Sequence, residues 1–133
     1  MKPIVLNRYR AERFKSAKPY VMISITDPKQ GEARLLDDSN RIETLRLTFH
    51  DLDAPLNGYK LFSTEDADAI LLASAVSPDV QIVVHCEAGI SRSAAVAAAL
   101  ARISGENDRP YFDAYLPNRL VYRTLLERGL DTE

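Results

Sequence analysis

Cys86 is the only cysteine of the 133-residue chain, and six positions later stands Arg92, followed by Ser93. The full stretch reads Val84-His85-Cys86-Glu87-Ala88-Gly89-Ile90-Ser91-Arg92-Ser93-Ala94-Ala95. An apolar run precedes it and an alanine-rich run follows, so a buried strand leads into a tight loop and a helix leaves it. Such a unit aims backbone N–H groups and the positive end of a helix at one point, where an anion is stabilised. A thiolate placed there is a nucleophile at neutral pH. Arg92 can fold back so that its planar fork meets two oxygens of a phosphate. Gly89 permits a tight turn where a side chain would block the anion. The amides of Glu87, Ala88, Gly89, Ile90, Ser91 and Arg92 would form the cradle, and the Ser93 hydroxyl can donate to the thiolate and later to the departing sulfur. A buried structural cysteine at a strand end is the plain alternative. The glycine, arginine and serine at their offsets favour the chemical reading.

A phosphate ester breaks slowly unless its departing oxygen is protonated, so a carboxylic acid is expected opposite the thiolate. Leu45-Arg46-Leu47-Thr48-Phe49-His50 alternates as a half-buried strand does, and it delivers His50-Asp51-Leu52-Asp53-Ala54-Pro55 to a sheet edge. Asp51 and Asp53 are the candidate acids. Against this, aspartates are common in turns for local reasons. Pro55 and Gly58 suit a loop that closes over a substrate.

The motif His85-Cys86-x5-Arg92-Ser93 resembles the signature of the cysteine-dependent protein tyrosine phosphatase superfamily. Small size, with Ala94-Ala95 where many members have glycine, makes the chain most similar to the compact dual-specificity-like members. The resemblance covers roughly Tyr20 to Glu127. It implies a metal-independent reaction without cofactors, in which Cys86 forms a phosphocysteine and Arg92 binds the equatorial oxygens. It gives His85 a supporting role, tuning Cys86 through hydrogen bonds. Phe49-His50-Asp51 followed by Pro55 resembles the Trp-Pro-Asp-x-x-x-Pro acid loop of tyrosine-specific members, which selects Asp51 as the acid and leaves Asp53 as the alternative. Glu87 and Ile90 stand where phosphoinositide-directed members tend to carry lysines. Phosphotyrosine or mixed phosphoprotein substrates are therefore expected first. A small phosphorylated metabolite, or a non-catalytic phosphoprotein-binding role, are the alternatives. Asn7-Arg8-Tyr9 faintly resembles a tyrosine-recognition loop, although plain helix onset explains it. Pro117-Asn118 is similar to the pair that opens a late helix in dual-specificity members.

The elements that must position these residues can be read along the chain. Ile4-Val5-Leu6 predicts a short strand, and Asn7 caps a helix through about Ser16. Tyr20 to Ile25 is a strand ended by the turn signal Asp27-Pro28. Ser63 opens a helix through about Val76. Ile82-Val83-Val84 is a central strand buried on both faces. Ser93 to Ile103 is a helix stopped by Ser104-Gly105, and Pro117 starts a last helix that Gly129 would close. Strands alternating with helices predict one α/β domain over residues 1–133, with a mainly parallel central sheet flanked by helices. In such sheets ligands sit at the carboxyl ends of strands.

Composition narrows the classes. Hydrophobic residues make up 46% and charged residues 27%, a globular balance able to build one core. A lone cysteine excludes an internal disulfide framework, and with two histidines it falls short of a Cys/His zinc site. No apolar run approaches the ~20 residues of a membrane span, and no signal-like opening is present. These features predict a soluble cytoplasmic protein without a membrane partner. The six cations and one acid of residues 1–18 leave the remainder clearly acidic against a net charge of −2, which argues against nucleic acid as a partner. Oligomeric state is left open.

Overall fold

Four strands and five helices follow one another in the computed structural model, which describes residues 2–130: β1 (Ile4–Leu6), α1 (Arg8–Ala11), β2 (Tyr20–Thr26), β3 (Arg41–Thr48), α2 (Thr64–Ala73), β4 (Gln81–His85), α3 (Arg92–Ile103), α4 (Arg109–Ala114) and α5 (Arg119–Leu130). The strands form one sheet in the order β1-β4-β2-β3, and every pairing is parallel. Parallel strands need crossover connections, which is why helices separate most of them. The described residues thus form an α/β domain with a parallel sheet, as the sequence predicts.

Every residue of β2 is buried. Val21, Ile23 and Ile25 face the larger core with Ile82 and Val84 of β4, against Ile70 of α2, Val96 of α3 and Leu125 of α5. Tyr20 and Met22 point the other way with Val83, onto Ala11, Phe14 and Leu35. The period-2 alternation of a strand therefore feeds two apolar layers, and β-branched residues fill both. α3 is buried from Arg92 to Ala101. Its alanines let it lie between β1 and β4 on one side and α4 and α5 on the other.

Several boundaries differ from the sequence reading, each for a local reason. α1 is capped by Asn7, whose side chain accepts from the Arg10 amide at 2.8 Å, but it ends at Ala11 rather than near Ser16. The chain turns there so that Phe14 stacks edge-on against Tyr20, with ring centroids 5.0 Å apart. β3 begins earlier and ends at Thr48 instead of His50. Its charged first half is an exposed edge that alternation does not mark. It ends because its partner stops pairing at Thr26, where Asp27-Pro28 leaves the sheet. α2 has the expected cap, with Ser63 and Asp66 in a reciprocal capping box, and ends at Ala73. α4 was not anticipated. Gly129 does not close α5; it lies inside it, where a Cβ would stand 2.4 Å from Ile103 Cδ1. This glycine serves close packing of α5 on α3, not chain termination.

Candidate active site

Three strand ends meet at the carboxyl edge of the sheet. β2 delivers Asp27, β3 delivers Phe49 to Asp51, and β4 delivers Cys86. From Cys86 the chain turns through Gly89, at φ +69°, and enters α3 at Arg92. A Cβ on Gly89 would lie 2.7 Å from the Asn7 backbone nitrogen and 2.8 Å from the Leu6 carbonyl carbon. Only glycine permits both that dihedral and that approach, so β1 and the start of α1 press the loop into shape. On the same side, the Arg8 amide donates to the Glu87 carbonyl at 3.1 Å, and the Arg8 guanidinium pairs with the Glu87 carboxylate at 3.1 Å. Glu87 is thereby turned toward α1.

Cys86 is 2% exposed. Its Sγ lies 3.1 Å from Ser93 Oγ and accepts from the Gly89 amide at 3.2 Å. Beneath it, β2 and β4 pair Ser24 with His85. His85 Nδ1–H donates to the Cys86 carbonyl at 3.1 Å, leaving Nε2 to accept from the Ser24 hydroxyl at 2.6 Å. These two bonds fix the tautomer of the ring. The imidazole touches the cysteine's backbone rather than its sulfur. Burial pushes the His85 pKa below its ordinary value of 6.5, with the bond to the Cys86 carbonyl opposing that shift. The folded protein therefore keeps His85 neutral where the unfolded chain protonates it. Stability should fall as pH drops below about 6.5, down to the depressed folded value. Thermal melts of wild type and His85→Gln across that window check this, since the variant should lose the slope. Acid titration of Asp68, held below its ordinary range by its hydrogen bonds to Arg128, belongs to a lower window.

Arg92 is 5% exposed. Its Nη1 donates to Asp27 Oδ1 at 2.5 Å and to the Phe49 carbonyl at 2.7 Å. Its Nε is buried and has no hydrogen-bond partner among the described residues. Ser91, at the N-cap position of α3, does not cap the helix with its side chain. Its hydroxyl instead donates to Asp51 Oδ1 at 2.8 Å. Asn118 Nδ2 donates to the same oxygen at 2.8 Å and to the Leu52 carbonyl at 3.1 Å. Asn118 also accepts from the Val121 amide through Oδ1, and its own amide donates to the Ser91 carbonyl at 3.1 Å. One asparagine thus ties the start of α5, the loop after β3 and the loop after β4 together.

Asp51, Cys86, Glu87, Ala88, Ile90, Ser91 and Arg92 line one cleft of about 380 Å³ with Leu116. Asp53 is not among its walls; it lines an adjoining groove of about 580 Å³. Gly89 and Ser93 are not among the walls of the cleft; both bond to the Cys86 sulfur. A larger cavity of about 830 Å³ lies at the opposite end of the sheet, around Lys18, Pro19 and Gln81, and holds none of these groups. Arg8 and Tyr9 do not line the cleft; Tyr9 lies under the Arg13 guanidinium, 3.6 Å from its ring centroid. Among the described residues no three of His, Cys, Asp or Glu gather as metal ligands, and no helix is long and apolar enough to cross a membrane.

Three groups escaped the sequence reading: Ser24, Asp27 and Asn118. Asp27-Pro28 reads as a turn and Pro117-Asn118 as a helix start, and both do those jobs while Asp27 holds Arg92 and Asn118 holds Asp51, two residues of the cleft. The Asp27–Arg92 contact is a charge-assisted hydrogen bond in a mostly buried setting, a class worth about 1.5–3 kcal/mol. Asp27→Asn should therefore lower any phosphate-ester turnover by about 10- to 100-fold and weaken phosphate-analogue binding, measured by steady-state kinetics and vanadate titration.

No protein-family model matches the chain, and no curated protein matches it in sequence. Among solved structures, the human tyrosine phosphatase-like serine/threonine/tyrosine-interacting protein is similar, with a TM-score of 0.50 and 20% identity over 85% of this chain and 78% of that one. PTPMT1, solved in complex with PI(5)P, gives a TM-score of 0.48 at 17% identity over the same shares. At such identities the likeness concerns the fold. The chain, with its parallel sheet in the order β1-β4-β2-β3, thus shares the fold of the tyrosine phosphatase-like serine/threonine/tyrosine-interacting protein.

Proposed function

We propose that the chain is a phosphate monoester hydrolase working through a phosphocysteine, with phosphoprotein substrates. The observation that carries this is the buried, unpartnered Nε of Arg92, a residue that lines one cleft with Cys86, at a helix start with no side-chain cap. A buried guanidinium N–H without a partner is costly, about 1–3 kcal/mol or more. A phosphate oxygen would relieve that cost, and the loop amides and helix end would add to the attraction.

In the first step the Cys86 thiolate attacks phosphorus, forming the S–P bond as the bond to the leaving oxygen breaks. The loop amides and Arg92 hold the equatorial oxygens as charge develops on them. Asp51, as the carboxylic acid, gives its proton to the leaving oxygen. Ser91 and Asn118 both bond to Oδ1, so Oδ2 remains to carry the proton. In the second step the Asp51 carboxylate takes a proton from water, the water oxygen attacks phosphorus, and the S–P bond breaks. Ser93 donates to the sulfur as the thiolate returns. Arg92 stays fixed by Asp27 and the Phe49 carbonyl, so its geometry is set before substrate arrives.

Asn118 is read as a positioning residue for Asp51. Asn118→Ala should reduce kcat by about 10-fold or more on phenyl phosphate, where the leaving group needs its proton. The loss in kcat/KM should be much smaller on 2,4-dinitrophenyl phosphate, which leaves unaided. Equal losses on both substrates would make the asparagine merely structural.

The solved neighbour named as an interacting protein supports a second reading, a phosphoprotein binder without turnover. Hydrolysis of an aryl phosphate in the presence of a chelator decides between them. Turnover supports the enzyme; tight vanadate binding with no turnover supports the binder.

A further inference from the structure

We infer that the groove beside the Cys86 cleft takes an apolar, non-acidic peptide segment next to the phosphorylated residue. This deepens the proposed phosphatase reading and rests on it. Asp51 and Ser91 line both the 380 Å³ cleft and the 580 Å³ groove, so the two are continuous across the residue assigned as the acid. The acid must stand beside the leaving oxygen to protonate it. A phosphate seated over Cys86 therefore has its ester oxygen on the Asp51 side, and the body of the substrate extends from there. What it meets in the groove is Phe112, Tyr115, Leu116 and Pro117. Phe112, one edge of which meets the Tyr122 ring at a centroid distance of 5.0 Å, is still 43% exposed, and Leu116 is 76% exposed.

Charge excludes the main rival substrates. The groove's charged residues are Asp51, Asp53 and Arg119, and the cleft adds Glu87 and Arg92. Arg92 and the loop amides are engaged by the one phosphate. A second phosphate, as on a bisphosphorylated sugar, an inositol phosphate or a nucleotide, would lie toward Asp51 and Asp53 with only Arg119 to offset them. A compact sugar phosphate would leave the aromatic wall uncovered. An aromatic or aliphatic side chain next in sequence to a phosphotyrosine covers it and carries no charge.

The test compares two synthetic phosphotyrosine peptides, one with leucine and one with glutamate beside the phosphotyrosine, with p-nitrophenyl phosphate as the small probe and inositol 1,4-bisphosphate as the polyanionic one. Phe112 lines the groove but not the cleft, so Phe112→Ala should raise KM for the leucine peptide about 10-fold, as loss of an aromatic contact at a binding surface does. The rise in KM on p-nitrophenyl phosphate, whose single ring extends less far along the groove, should be much smaller, a thermal melt shows that the variant folded, and Phe112→Leu should restore most of the peptide KM. Wild type should favour the leucine peptide over the glutamate peptide and over inositol bisphosphate. An unchanged peptide KM in Phe112→Ala, or a preference for inositol bisphosphate, would overturn the inference while p-nitrophenyl phosphate turnover kept the phosphatase reading intact. Failure of wild type on every substrate, with no binding of the peptides to Cys86→Ser, would instead overturn the phosphatase reading and this inference with it.

Discussion

Cys86→Ser is expected to abolish turnover of every phosphate ester while leaving the fold and phosphate binding in place. The serine hydroxyl is slightly smaller than the thiol and can bond to the same Ser93 Oγ and Gly89 amide, so the loop has no reason to reopen. What it loses is the anionic nucleophile, because an alcohol stays protonated where the loop stabilises a thiolate. Loss of a nucleophile that acts in concert with its surroundings costs on the order of 10⁴-fold or more in kcat. Steady-state hydrolysis of p-nitrophenyl phosphate measures the loss, and a thermal melt together with vanadate titration shows that folding and binding survive. More than a few per cent of wild-type activity in a clean preparation would remove Cys86 from the chemistry.

Asp51→Asn should reduce kcat by about 10²- to 10⁴-fold on substrates with poor leaving groups, the usual worth of a positioned general acid. An asparagine keeps an oxygen for Ser91 and Asn118 to bond, so the loop should hold its place while losing its proton. On 2,4-dinitrophenyl phosphate, whose leaving group needs no proton, the defect in kcat/KM should shrink sharply, while kcat stays low because the second step still lacks its base. Asp53→Asn should act mainly on KM for larger substrates, because Asp53 lines the groove rather than the cleft. A large kcat defect in Asp53→Asn with little change in Asp51→Asn would move the acid to Asp53. The rest of the scheme would stand.

How much of this was legible before folding depends on whether a residue's role is local. The strand–loop–helix unit around Cys86 is read from adjacent residues, since its anion-binding character comes from backbone geometry that glycine, strand and helix signals specify together. The parallel sheet follows from alternation of strands and helices, and the burial of Ile82, Val83 and Val84 in β4 from their unbroken apolar run. Ser24 under His85, and Asp27 against Arg92, lie 61 and 65 residues from their partners and depend on strand register. No period in the sequence encodes register between strands. Asn118 is hidden for another reason: capping α5 is enough to explain it locally, and the bond to Asp51 appears only when α5 is packed beside α3. Gly129 shows the reverse case, a residue whose local signal was misleading because packing against Ile103 explains it better.

The central claim is that phosphate passes through Cys86. Acid quenching of wild type during turnover of an aryl phosphate, with a chelator present, followed by peptide mass spectrometry under conditions that keep thiophosphate esters intact, tests it most directly. One phosphoryl group is expected on the peptide carrying Cys86, more of it in Asp51→Asn with 2,4-dinitrophenyl phosphate, where the second step lacks its base, and none in Cys86→Ser. Sustained hydrolysis with no phosphoryl group on Cys86 at any time, in wild type or in Asp51→Asn, would contradict it.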